Sequence, residues 1–131
     1  MNHFIALKEA AQMTTLYRNQ RNLVVKDAYQ QQDLLPLSET FDRTAFDTLL
    51  AKNGCTGLRI YYGMSEDLKV HALITAVNAE GADLLTATSF ISSAADNATE
   101  DVTETDTLEH ANRCPDICPP DSPLNTDPAP Y

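Results

Sequence analysis

The segment Gly54-Cys55-Thr56-Gly57-Leu58-Arg59-Ile60-Tyr61-Tyr62-Gly63 constrains the fold of this chain more than any other stretch. Asn53-Gly54 reads as a helix stop, because a glycine just past a helix takes up the left-handed conformation that a Cβ disfavours. Leu58 to Tyr62 then alternates with the period of a strand, placing Leu58, Ile60 and Tyr62 on one face and Arg59 and Tyr61 on the other. A helix therefore hands over to a strand at this point, and the rest of the chain has to be built around that junction.

Upstream, Phe4, Leu7, Ala11, Leu16, Tyr17, Val24, Ala28 and Tyr29 recur at spacings of three, four or seven, which predicts one or two amphipathic helices between His3 and about Gln32. The stripe is weakest at Asn19 to Asn22, and Pro36 ends the helical region. Ser38 or Thr40 is suited to cap a second helix whose face carries Phe41, Ala45, Phe46, Leu49 and Leu50. Downstream, Val70 to Val77 reads as a second strand joined to the first through a polar loop, and Asn78-Ala79-Glu80-Gly81 turns the chain into a third at Ala82 to Thr88. The predicted class is α+β, with N-terminal amphipathic helices packed on a small antiparallel sheet of about three strands and an irregular C-terminal tail.

Apolar residues thin out after Ile91, so the core is expected within residues 1–91. Residues 92–109 are rich in alanine, serine, threonine and acid and contain no lysine or arginine, the composition of a solvated linker. Residues 110–131 hold six of the seven prolines and two of the three cysteines, so this tail is expected to be extended rather than helical. Nineteen acidic residues against nine basic ones give a formal charge of −10, which repels nucleic acid and an anionic membrane surface. No stretch approaches the roughly 20 apolar residues of a membrane helix. The N-terminal residues lack a basic region followed by an apolar run, so the expected location is the cytoplasm.

The chemical leads are few. Cys114 and Cys118 are spaced for a shared metal, with His110 upstream and Cys55 or His71 as the fourth ligand that zinc would need. The same spacing suits a disulfide across a single turn, and in a reducing compartment two free thiols packed on the domain. Cys55 lies at a tight turn, where a small buried thiol packs as a hydrophobe. Arg59 and Tyr61 share a strand face and could grip a carboxylate or phosphate. No Ser-His-Asp order, catalytic carboxylate pair or His-Glu-x-x-His motif is present, and no cofactor is indicated.

The Gly-Cys-x-Gly turn, the Arg-Ile-Tyr-Tyr-Gly strand and the Arg113-Cys114-Pro115-Asp116-Ile117-Cys118-Pro119-Pro120 tail resemble a family of short uncharacterised proteins common in Bacteroidetes. The resemblance covers about Phe41 to Leu85 and Arg113 to Asn125, and implies a shared small α+β fold without naming a reaction. The leading expectation is a non-enzymatic interaction or structural protein that associates with itself or with a protein partner. A metal- or thiol-dependent module built on the tail, and a small-anion binder on the sheet face, are the alternatives.

Overall fold

A computed structural model describes residues 2–85 and 107–126. The chain forms two compact units, one from the described parts of 1–39, 64–70 and 112–131, the other from those of 40–63 and 71–111. Helix α1 (Leu7–Gln20), a 3-10 turn (Asp27–Tyr29) and strand β1 (Ser38–Thr40) are followed by helix α2 (Arg43–Leu50). Strands β2 (Gly57–Met64), β3 (Val70–Val77), β4 (Thr107–Leu108) and β5 (Asn112–Cys114) complete the order. Two sheets result, one pairing β1 with β5 and the other ordered β2-β3-β4, so the fold is α+β.

The second unit is the conventional one. Leu49 of α2 and Ile74 and Ala76 of β3 are buried, with Phe41, Phe46, Cys55, Leu58, Ala72, Leu84 and Leu108 packed around them. Phe41 and Phe46 stack with their ring centroids 5.8 Å apart. Gly54 has φ of +85°, the left-handed geometry its place after α2 demanded. The helix itself begins later than the sequence suggested. Asp42 is its N-cap, and Ser38 and Thr40, the expected capping residues, lie in β1 instead.

Thr56 N donates to Val77 O at 2.8 Å and Ser65 N to Lys69 O at 3.0 Å, which brackets β2 and β3 as an antiparallel hairpin. The third strand is interrupted. Val77 bridges to Asp83 and Leu84 N donates to Ala76 O at 2.9 Å, yet the next two partners along β3 are Thr107 on Thr75 and Leu108 on Ile74. One strand position is thus filled by two separate pieces of chain, Asp83-Leu84 and Thr107-Leu108, at adjacent register. Of the strand expected over Ala82 to Thr88, Asp83 and Leu84 pair with β3, residues 86–88 lie outside the described residues, and so does most of the acidic segment 92–109.

The first unit has a thin apolar core of Ala11, Leu34 and Cys114, and compensates with buried arginine. Arg113 Nη2 donates to the backbone oxygens of Asp33 at 2.8 Å and Leu34 at 2.9 Å, with Val70 O at 3.4 Å. Its Nε lies 4.0 Å from Glu39 Oε1, both side chains being 7% exposed. Arg21 bonds Leu35 O and, at 3.0 Å, Asp33 Oδ1. Two guanidinium groups therefore hold the loop 33–35 by its carbonyls, of which Leu34 O also accepts from Val70 N at 2.7 Å.

Candidate functional site

Among the described residues, strand β2 lies at the edge of its sheet, with β3 as its one neighbour. Its even residues divide along its length. Leu58 packs on the core, whereas Ile60 is 53% and Tyr62 78% exposed. Among the described residues no second strand meets the outer backbone row of β2, which is flanked by two large apolar side chains, an arrangement sheet proteins ordinarily cover or charge.

Across the odd-numbered face, Arg59 Nη1 donates to Asp83 Oδ1 at 2.7 Å and Nη2 to Gly81 O at 2.9 Å. Tyr61 OH donates to Asp83 Oδ2 at 2.6 Å, and the Arg59 guanidinium lies 6.0 Å from the Tyr61 ring centroid. The bond to Tyr61 raises the Arg59 pKa above its already high value against an opposing desolvation, with the Asp83 charge adding to the rise. The guanidinium nitrogens that would meet an anion are turned to Asp83 and Gly81, so the cluster is an internal neutral pair rather than an open fork. Asp83 was missed in the sequence. Its only signal was its place two residues beyond Gly81, where a returning strand faces the hairpin.

Cys114 and Cys118 are joined by a disulfide with Cα atoms 4.6 Å apart. A sulfur in that bond carries no thiolate, so neither cysteine offers a metal ligand in this state. His71 and His110 belong to the other unit and meet a different residue, Glu109. His71 Nδ1 lies 3.5 Å from Oε1 and His110 Nδ1 3.0 Å from Oε2, with the His110 ring 94% exposed. Cys55 packs on the Leu49 core, its Sγ 3.3 Å from Gly57 O. Among the described residues no group of three or more His, Cys, Asp or Glu is placed to hold a metal ion, so the set His110, Cys114, Cys118 with Cys55 or His71 forms no such group.

The disulfide borders a cavity of about 590 Å³ in the first unit. Tyr17 and Arg18 of α1, Leu37, Cys118, Pro120 and Leu124 are among its walls. Arg18 Nη1 donates to Leu124 O at 3.0 Å, and Tyr17 OH to Pro36 O at 2.7 Å. Partial burial raises the Tyr17 pKa, against the lowering charges of Arg21 and Arg113. The volume is that of a small-molecule site, but its polar groups are largely occupied by one another.

No protein-family model, curated protein or solved structure matches this chain. Among the described residues no helix is long and apolar enough to cross a membrane.

Proposed function

We propose that the protein is a non-enzymatic interaction module that self-associates by pairing β2 of one copy with β2 of a second. The observation that carries this reading is the eight-residue edge strand bearing Ile60 and Tyr62 at high exposure. Antiparallel pairing of two identical edges is self-complementary, so one surface serves both copies and the association closes at a dimer. Each strand then satisfies its free backbone groups, and the cross-strand contact of Ile60 and Tyr62 with their counterparts removes apolar surface from water.

The test is sedimentation equilibrium of the whole chain. Wild type is expected to dimerise at micromolar to submillimolar concentration, and Tyr62→Lys, which places a charge on an exposed position, to be monomeric with an unchanged melting temperature. A wild-type monomer throughout that range, or a dimer indifferent to Tyr62→Lys, overturns the reading.

A further inference from the structure

We propose that the Cys114–Cys118 disulfide is a thiol-exchange site, attacked at Cys118 by a soluble dithiol, and that its state latches or frees the strap that walls the adjoining cavity. The inference is independent of β2 pairing. It begins from the asymmetry of the bond, since Cys114 is 5% exposed while Cys118 is an exposed residue. Exchange proceeds at the sulfur a thiolate can reach.

The strap runs from Cys118 through Pro119 and Pro120 to the turn at Ser122 to Thr126. At its start it is fastened to β5 by the disulfide and by Ile117 N donating to Arg113 O at 2.8 Å, and at its far end by Arg18 Nη1 on Leu124 O. Between these points its prolines contribute no backbone N–H to hold it down. The turn itself is closed locally, with Asn125 N and Thr126 N both donating to Ser122 O at 3.1 Å. Strand β5 has other anchors: Leu37 N donates to Cys114 O at 2.9 Å, and Arg113 is held by loop carbonyls. Breaking the disulfide therefore leaves the start of the strap on the one backbone bond of Ile117 to Arg113 O, loosening it without unfastening the strand.

The chemistry balances. A thiolate of the reductant bonds to Cys118 Sγ as the S–S bond breaks, and Cys114 Sγ leaves with the electron pair and takes a proton from water. The second thiol of the reductant then attacks its own sulfur in the mixed disulfide, releasing Cys118 as a thiol and the reductant as an internal disulfide. Two electrons and two protons pass to the protein.

The experiment treats the native full chain with dithiothreitol and follows it by intact mass, alkylation and amide exchange. The expected result is a gain of two hydrogens and two new alkylation sites, with amide exchange across Ser122 to Thr126 at least tenfold faster. Exchange in β2 and β3 should stay unchanged, and reoxidation should restore the slow rate. Cys118→Ser should show the fast rate permanently, and Cys55→Ser should leave the response intact. Unchanged exchange across the strap overturns the proposal, as does a bond that resists the dithiol under native conditions. Loss of protection throughout the chain on reduction also overturns it, since the bond would then be a staple rather than a latch. Wild-type reduction alone decides the matter if Cys118→Ser does not fold.

Discussion

Arg113 is the residue on which the first unit depends most heavily. It is a charged group in the interior, touching Asp33 O, Leu34 O and Val70 O with one nitrogen and facing Glu39 with another. Removing one partner of a buried pair leaves the other uncompensated, so Arg113→Ala is expected to cost roughly 3 to 5 kcal/mol in urea unfolding. Arg113→Lys should recover little, because an ammonium lacks the planar array of donors. A loss below about 1 kcal/mol would show that the loop 33–35 holds itself. Tyr17 gives a pH signature. Its folded pKa is raised, so the proton is held more firmly in the folded chain, and the associated stability is complete below the ordinary tyrosine value near 10 and lost as pH rises through the folded pKa. Tyr17→Phe should remove that alkaline loss, at the expense of the bond to Pro36 O, worth about 1 kcal/mol at neutral pH. Unfolding curves at pH 7 and pH 11 check both. Neither Arg113 nor Arg21 was recognisable in the sequence as interior, since an arginine carries no mark of burial until the carbonyls it serves are known.

At the scale of elements, what was legible followed local periodicity. The junction at Gly54, the alternation of β2 and the extent of β3 from Val70 to Val77 all rest on residues within a few positions of one another. β1 and β5 were not legible, because Ser38 to Thr40 becomes a strand only when Asn112 to Cys114, far along the chain, lies beside it. The site was read in the same uneven way. Arg59 and Tyr61 do share a face, yet the partner that occupies them, Asp83, comes from the turn beyond β3, and the tail cysteines meet each other rather than a histidine. The interrupted third strand makes its own prediction. Leu84 and Thr107 sit opposite consecutive residues of β3, so a chain in which 86–106 are replaced by a short Gly-Ser turn should keep the sheet. Its stability should fall within about 1 kcal/mol of wild type or exceed it, because loop length enters stability only logarithmically. Loss of cooperative unfolding in that variant would mean that the excised residues are part of the core.

For the molecule as a whole, a formal charge of −10 sets the conditions under which two copies can meet. Like-charged bodies repel over a screening length of about 30 Å at 10 mM salt and about 8 Å at 150 mM, so β2 pairing should tighten as salt is added across that range. Weakening instead would point to an interface made of ion pairs, contrary to the exposure of Ile60 and Tyr62. The split strand has a last consequence, for the order in which the native state is assembled. Val77 finds Asp83 across a handful of residues, whereas Ile74 finds Leu108 only after the intervening excursion has closed. The entropy of closing the longer loop exceeds that of the shorter by roughly 1.5 kcal/mol, so the hairpin and its first return form early and Leu108 seals the Leu49 core late. Folding speed is then governed by the closure of the longer loop, and shortening 86–106 should accelerate refolding while leaving unfolding nearly untouched.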